Sequence, residues 1–507
     1  MPDAVVIGSG PNGLVAANML ADRGWSVEVF EAQDEPGGAV RSGELIEPGF
    51  VNDSFSAFYP LAAASPTIQA LGLERFGLRW CRAPLVLAHP AADGTCPILS
   101  TDLDETAASF DALAPGDGDA WRQLFRSYER MEDGLLGGML TPFPPIRAGL
   151  RLATSLRPAE LLRFARFAVL PVRRMGEEHF ASDAVRRVFG GTALHADLAP
   201  EATPSGFMGW LLIALGQRFG WPVPEGGSGR LTAALVERLE AAGGRVTCGT
   251  AVTQVHIRAG RAAGVRLHDG TDVDATRAVI ADVLAPTLYR DLVGAEHLPA
   301  SLLKDLGAFQ LDDATVKVDW TLDGPVPWSA EPARRAGTVH LADSMDELTL
   351  AAAHLAMGLV PERPLVVVGQ QSMTDPSRQP ARKETAWAYH HVPQEVRGDA
   401  GGDEITGRWD KSEAETIADR IEARIEAQAP GFRSRIRGRH VFTPPDLAEA
   451  NANLRGGAIN GGTARIYQQL VFRPVPGRGR AETPVRNLYL GSSSAHPGGG
   501  VHGACGA

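Results

Sequence analysis

The chain has 507 residues and a formal net charge of -11 at pH 7. Hydrophobic residues make up 44% and charged residues 21%, which excludes wholesale disorder, and the acidic balance gives no global basic surface for nucleic acid. Four cysteines stand far apart without a paired motif, so we predict no disulfide framework and no metal site.

The sequence offers no sign of a targeting or membrane-spanning segment. The first apolar run, Ala4–Ile7, is only four residues long and leads directly into glycines. A spanning helix needs about 18 or more apolar residues, and no stretch provides them. We therefore expect a cytoplasmic protein.

The first forty residues predict a strand, a tight turn, a helix and a second strand. Residues 4–7 fit a buried parallel strand, residues 14–23 have helical apolar spacing, and residues 26–30 form the next strand, ending at Glu31. The turn before the helix has the GxGxxG pattern of a dinucleotide site. Its predicted cofactor contacts are Gly8, Gly10, Pro11, Asn12 and Gly13.

Each part of this pattern has a chemical purpose. Gly8 allows the sharp turn, Gly10 lets the backbone approach a pyrophosphate, and Gly13 lets the helix pack close to the strand. The helix N-terminus supplies oriented N–H groups for phosphate. Glu31, with Ala32 beside it, can accept hydrogen bonds from a ribose and would repel the 2′-phosphate of NADP.

The next segment favours FAD over NAD. Gly37 and Gly38 let a second backbone segment approach the ligand, and Arg41 can neutralise phosphate charge. This segment resembles the flavoprotein family that includes amine oxidases and phytoene desaturases. In that family the doublet and the arginine help to enclose the FAD pyrophosphate, and the chain then passes the flavin, which makes Ser54 a further candidate contact.

The C-terminal segment strengthens the resemblance. A short apolar strand at residues 488–490 leads into a polar turn and three glycines, and we expect a helix to open at Val501. The segment closely resembles the end of phytoene desaturase-like proteins, in particular the branch named after pyridine nucleotide-disulfide oxidoreductase domain-containing protein 2. The candidate flavin contacts here are Gly491, Ser492, Gly499, Gly500 and Val501.

The resemblance also covers the middle of the chain. It places the backbone near Val252 against the adenine and brings the strand at 278–281 back to the cofactor site. The predicted fold is α/β, with a Rossmann-type, glutathione-reductase-like FAD-binding domain and an interleaved α+β substrate domain. The FAD-binding domain comprises 1–75, 222–290 and 480–507, and the substrate domain comprises 76–221 and 291–479.

Three further elements can be predicted from local patterns. Residues 314–322 alternate as a half-buried strand, and residues 365–368 form another strand. Ser412 and Glu415 form a capping box at the start of a helix that ends before Pro430.

Residues 147–174 carry seven arginines, one acid and interleaved apolar side chains. Such a stretch can lie on a membrane surface, which would suit an enzyme that takes a lipid-like substrate from a bilayer. The alternative is a solvated helical surface whose arginines pair with this protein's own acids.

The resemblance implies an FAD-dependent oxidoreductase that removes a hydride from a C–H bond of an apolar, isoprenoid or other lipid-like substrate and passes the electrons to an unidentified acceptor. His496, Tyr389 and His390 are the candidate catalytic residues. The alternatives are an amine oxidase, a flavin-dependent polyene isomerase, and a non-catalytic flavin-binding interaction protein. The short C-terminal helix expected at Val501 favours the last of these.

Overall fold

A parallel five-stranded sheet carries the first glycine turn. The computed structural model describes residues 1–507, and every strand pair in this sheet is parallel. The strands fall within 1–75, 222–290 and 480–507, the three pieces assigned to the cofactor domain. In sheet order they are Leu488–Leu490, Ala278–Ala281, Ala4–Ile7, Val27–Phe30 and Arg245–Thr247.

Both faces of this sheet are covered, as its continuous apolar strands require. Helices Pro11–Ala21 and Gly229–Ala241 pack against one face through Leu14, Leu235 and their neighbours. A three-stranded antiparallel sheet covers the other face; its strands are Val252–Arg258, Arg261–Leu267 and Asp272–Asp274. This three-layer arrangement is the predicted Rossmann-type α/β fold.

A mixed seven-stranded sheet forms the second half of the molecule. One face packs on the helix Lys411–Gln428 through Trp320, Ile421 and Ile425. The other face is directed towards the helical layer and the cavity described below. In sheet order the strands are Ile436–Phe442, Ala314–Leu322, Glu384–Val392, Val366–Gly369, Ala336–Leu341, Leu85–Ala88 and Ile98–Leu99.

A helical layer covers the seven-stranded sheet and contains the largest apolar core of the molecule. Its aromatic centre is formed by Trp121, Phe189 and Trp210, each at most 1% exposed. The helices are Leu103–Asp111, Asp117–Met139, Ile146–Ser155, Pro158–Ala168, Val172–His179, Asp183–Leu194 and Ser205–Phe219. None of the helices in the structure combines the length and the apolar composition needed to cross a bilayer.

Shorter elements complete the fold. The remaining α-helices are Pro60–Ala64, Pro66–Ala70, Ala300–Asp305, Met345–Met357, Gln371–Thr374 and Pro444–Ala450, and Thr287–Leu292 is a π-helix. Three two-stranded ribbons pair Ser42–Gly43 with Asn52–Asp53, Trp80–Cys81 with Val223–Pro224, and Leu359–Val360 with Gly398–Asp399.

Three local predictions need correction. The strand Ala314–Leu322 is buried on both faces, because its apolar side packs on the helix Lys411–Gln428 and its polar side faces the cavity instead of solvent. The helix predicted to start at Ser412 starts at Lys411, and Asp410 caps it by accepting hydrogen bonds from two backbone N–H groups. The helix expected at Val501 does not form; residues 501–507 make turns packed against the first helix.

Candidate active site

A cavity of about 330 Å³ lies where the parallel sheet meets the seven-stranded sheet. One part of its wall, here called the glycine wall, consists of Gly10, Pro11, Asn12, Gly38, Gly500 and Val501. Another part, here called the aromatic wall, consists of Phe58, Leu212, Trp221, Trp387 and Tyr389. The two ends of the chain therefore line the same cavity.

The glycine wall depends on the absence of side chains. A Cβ on Gly13 would lie 2.3 Å from the Gly8 carbonyl oxygen, so the helix could not approach the strand with any larger residue. A Cβ on Gly38 would lie 3.0 Å from Gly10 Cα, which shows that the Gly37–Gly38 doublet touches the first turn. Gly37 and Gly38 also have φ angles of +117° and +56°, the region that favours glycine.

Asp282 is a site residue that sequence reasoning did not assign. It follows the strand Ala278–Ala281, lines the cavity and accepts a 2.9 Å hydrogen bond from the Gly13 N–H. Burial raises the pKa of this carboxyl group to about 7, and nearby Glu31 adds to the increase, while the Gly13 hydrogen bond opposes it. Its position at the end of a predicted return strand is the signal that could have identified it.

Glu31 lies just outside the cavity lining, at the carboxyl end of the second strand. Its Oε2 accepts hydrogen bonds from Ser9 N at 2.8 Å and Ser9 Oγ at 2.7 Å, which ties the acid to the glycine turn. The Thr250 N–H donates to the Glu31 carbonyl, so the segment leading to Val252 runs beside Glu31 and Ala32. The predicted ribose and adenine contacts are thus neighbours, although none of them lines the cavity.

Arg41 lies behind the doublet and forms no ion pair with any carboxylate of the chain. Its Nη2 donates to the Ala450 carbonyl at 2.8 Å, its guanidinium lies 5.2 Å from the Phe55 ring centroid, and its buried Nε has no partner. Ser54 donates its N–H to the Arg41 carbonyl and lies off the cavity, whereas Ser56, two residues later, lines it.

The C-terminal segment reaches the same place by hydrogen bonding to the parallel sheet. The Gly491 N–H donates to the Ala281 carbonyl at 2.9 Å, and Ser492 is buried beside it. A Cβ on Gly499 would lie 2.7 Å from Asn460 Oδ1, and one on Gly500 would lie 2.6 Å from Leu61. The backbone of the C-terminal segment therefore comes close to its neighbours at the glycine wall without forming the helix expected at Val501.

The aromatic wall contains Tyr389 but not the neighbouring candidate His390. Tyr389 and Trp387 alternate with His390 along one strand, and their rings stack 5.9 Å apart on the cavity side. His390 faces the helix Lys411–Gln428; burial lowers its pKa to about 4. The expectation that His390 lines the cavity is wrong, because the local sequence does not determine which face of this strand meets the cavity.

His496 is also placed outside the cavity lining. Its ring packs against Phe143 at 6.2 Å, and its Nε2 lies 3.2 Å from the Thr141 carbonyl. Burial lowers its pKa. Its position within the glycine motif suggested a flavin contact, but the turn directs its side chain towards the helical layer.

Lys317 is a second cavity residue that the sequence pattern did not assign. It is the only lysine or arginine in the lining, is 4% exposed, and donates to the Asp53 carbonyl at 2.9 Å and to Asp319. Alternation along its strand had indicated a solvated polar face. The buried Lys317 ammonium and Asp319 carboxylate instead form an ion pair beside the cavity.

These features fit a bound dinucleotide. The side-chain-free turn, the N-terminus of the helix Pro11–Ala21 and the Arg41 guanidinium, which forms no ion pair, could contact a pyrophosphate. Asn12 Oδ1 and Asn460 Nδ2 are buried polar atoms without a protein partner that could be satisfied by a ligand. The fold and the site together define a dinucleotide-binding protein of the Rossmann type.

The profile of the family described as FAD dependent oxidoreductase matches residues 3–282. Because this is more than half of the chain, the protein belongs to the FAD-dependent oxidoreductase family. It is an FAD-dependent oxidoreductase. The residues of the glycine wall together with Arg41 could hold the cofactor.

Curated relatives align along nearly the whole chain. The pyridine nucleotide-disulfide oxidoreductase domain-containing protein 2 of Rattus norvegicus is 29% identical over 551 residues, covering 99% of this chain and 92% of the rat protein. A lycopene-forming phytoene desaturase of Paracoccus sp. is 26% identical, covering 99% of this chain and 95% of its own length.

Solved structures show the same fold. An oxidoreductase from Methanosarcina mazei superposes with a TM-score of 0.64 at 18% identity, covering 99% of this chain and 97% of that one. A putrescine oxidase bound to putrescine superposes with a TM-score of 0.61 at 16% identity, covering 99% and 96% of the two chains.

Proposed function

We propose that this FAD-dependent oxidoreductase is a desaturase-type dehydrogenase that removes a hydride from a C–H bond of an apolar, lipid-like substrate. The observation that carries the proposal is the aromatic wall, which brings Phe58, Leu212, Trp221 and Trp387 to the cavity that the glycine wall also lines. Full-length similarity to phytoene desaturases supports it.

The chain's own residues would bind and orient such a substrate. FAD supplies a hydride acceptor when it is bound. Apolar side chains remove the substrate's hydrocarbon from water, at roughly 25 cal/mol per Å² of buried apolar surface. Because Trp387 stacks on Tyr389 and lies 6.0 Å from Phe58, this surface is rigid and can hold a C–H bond in one orientation.

The cavity favours this function over the oxidation of a cationic amine. Lys317 lies in the lining and pairs with Asp319 behind it, so the Asp319 carboxylate is not free to pair with a protonated amine. The only carboxylate in the lining is Asp282, which is engaged with the Gly13 N–H at the first turn.

The test is anaerobic mixing of the FAD-loaded protein with two probe classes while the visible flavin band is followed. Phytoene in detergent represents apolar polyenes, and putrescine represents amines. We expect phytoene to bleach the band and putrescine to leave it unchanged. The variant Trp387→Leu should slow bleaching about tenfold because the rigid wall is lost. Trp25→Leu, which removes a tryptophan stacked on Arg277 away from the cavity, should not.

Other outcomes would overturn the proposal in favour of a stated alternative. Bleaching by putrescine alone would identify an amine oxidase. Conversion of phytoene to an isomer without net bleaching would identify an isomerase. No bleaching by either class, with a flavin that still accepts electrons from light and EDTA, would favour an interaction protein.

A further inference from the structure

A chain of hydrogen-bonding side chains begins at the aromatic wall and ends inside the protein. Tyr389 Oη lies 3.0 Å from His195 Nδ1, and His195 Nε2 lies 2.7 Å from His340 Nε2. Tyr389 and His195 line the cavity, whereas His340 is fully buried and its Nδ1 has no partner in the protein. The proposed function uses Tyr389 only as part of the aromatic wall and gives the two histidines no role.

The hydrogen bonds among Tyr389, His195 and His340 can run in either of two directions, because a neutral imidazole has one N–H and one lone pair. In the first, Tyr389 donates to His195 and His195 donates to His340, so the phenol oxygen keeps its lone pairs for the cavity. In the second, His340 donates to His195 and His195 donates to Tyr389, so the phenol O–H is free to point into the cavity. Tyr389 can therefore accept or donate a hydrogen bond there.

Burial keeps the side chains of Tyr389, His195 and His340 uncharged. It lowers the pKa of His195 to about 3, lowers the pKa of His340 well below the usual range, and raises the pKa of Tyr389. A neutral dipole that can reverse its direction suits a neutral oxygen better than an ammonium or a carboxylate, either of which would need a fixed counter-charge.

The lining also contains buried polar groups that have no partner in the protein. Thr338 Oγ1 is buried and has no hydrogen-bond partner in the protein. A purely hydrocarbon substrate would leave Thr338 and the cavity side of Tyr389 against apolar surface, and unpaired buried polar groups are disfavoured. Together with the unpaired indole N–H groups of Trp221 and Trp387, these groups favour a ligand that carries at least one hydrogen-bonding atom.

We propose that Tyr389, positioned by His195 and His340, forms a subsite for one neutral hydroxyl or carbonyl oxygen on an otherwise apolar substrate. The inference rests on the proposed function for the apolar body of that substrate and adds its polar group. The preferred substrate is thereby an oxygenated lipid-like molecule, and a bare polyene such as phytoene should bind more weakly because it leaves these polar groups unpaired.

The test is calorimetric titration of the FAD-loaded protein with cyclohexanol, cyclohexanone and cyclohexane. These probes have nearly the same ring size and differ in the oxygen. The variant Tyr389→Phe should weaken binding of both oxygenated probes about tenfold and change cyclohexane binding less than twofold. Tyr467→Phe, at an exposed tyrosine that bonds Gln310, is the matched control and should change none of the three.

The positioning role of His195 needs its own pair of variants. His195→Leu should reproduce the selective loss seen with Tyr389→Phe, and His195→Gln should restore part of the affinity because its amide can still hydrogen-bond Tyr389. All variants should keep the FAD content and melting temperature of the wild type, which separates a lost subsite from a lost fold.

Three results would overturn the subsite: no binding of either oxygenated probe to the wild type, an equal loss for all three probes in Tyr389→Phe, or no loss in His195→Leu. The proposed function fails separately, through the absence of flavin bleaching. Selective loss in these titrations without bleaching by any substrate would keep the subsite and end the desaturase proposal.

Discussion

Asp282 places a carboxyl group where a pyrophosphate would approach the helix N-terminus. A Cβ on Gly10 would lie 2.5 Å from Asp282 Oδ2, so the acid lies directly beside the turn. Its pKa of about 7 is set by burial and by Glu31, against the Gly13 hydrogen bond. An incoming diphosphate would raise this pKa further, because two negative charges in close contact disfavour each other.

We expect FAD affinity to depend on this proton. Because binding favours protonated Asp282, affinity should be highest below pH 7 and fall by up to about tenfold per pH unit as pH rises above it. In Asp282→Asn the amide oxygen can still accept from Gly13 and nothing titrates, so affinity should stay level between pH 6 and about 9. Fluorescence titration of the apoprotein with FAD measures both curves.

The control for this titration is Asp291→Asn, at an exposed carboxyl group on the π-helix Thr287–Leu292, which should keep the wild-type slope. A level wild-type curve, or an unchanged slope in Asp282→Asn, would contradict the expectation.

Two helices next to the cavity-bearing core present an unusual surface. Helix Pro158–Ala168 has no buried residue, and Ile146, Leu150 and Leu162 are 62–74% exposed. Arg166, Arg173 and Arg174 of this stretch pair with acids of the chain, whereas Arg147, Arg151 and Arg163 form no ion pair. Exposed apolar side chains interspersed with unpaired arginines are typical of protein surfaces that bind anionic lipid.

We expect this surface to bind vesicles that contain phosphatidylglycerol and to bind pure phosphatidylcholine vesicles weakly. Each of Arg147→Gln, Arg151→Gln and Arg163→Gln should lower affinity about fivefold, since a basic residue near an anionic surface contributes about 1 kcal/mol. Leu162→Ser should weaken sedimentation with vesicles, and Leu350→Ser, on the exposed face of a different helix, should not. Equal binding of both vesicle types would contradict a charge-dependent contact.

At the scale of the whole molecule, the cavity joins segments that are distant in the chain. Gly13 and Asp282 bond across 269 residues, and Gly10 and Gly500 share one wall. A ligand that touches all of them stabilises the folded state as a unit, by about 2.7 kcal/mol at a free concentration one hundred times its Kd.

We therefore expect FAD to slow amide hydrogen exchange simultaneously in peptides covering 8–14, 36–42 and 498–503. The helix Lys411–Gln428, on the other side of the seven-stranded sheet, should show no comparable change and serves as the internal control. Protection of the N-terminal peptides without the C-terminal one would contradict a shared site.

The sequence by itself determined the local elements of the cofactor site. Apolar runs set the strands Ala4–Ile7 and Ala278–Ala281, and the need for bare backbone set the glycines between strand and helix. Each of these signals depends on residues that lie close together in the chain, so the local sequence is enough to predict the element. The joining of the chain's two ends entered through family resemblance, because nothing in either segment alone specifies the other.

Only the tertiary structure decided which side chains meet at the cavity. Tyr389 and His390 were both candidates from the sequence, and only the structure shows that they point to opposite faces of one strand, with the tyrosine facing the cavity. His195 and Tyr389 are 194 residues apart, and Lys317 lies in the seven-stranded sheet whereas Asp282 follows a strand of the parallel sheet. Such contacts arise when distant elements pack together. Local periodicity does not encode them, because the burial and hydrogen bonding of each side chain depend on residues from elsewhere in the chain.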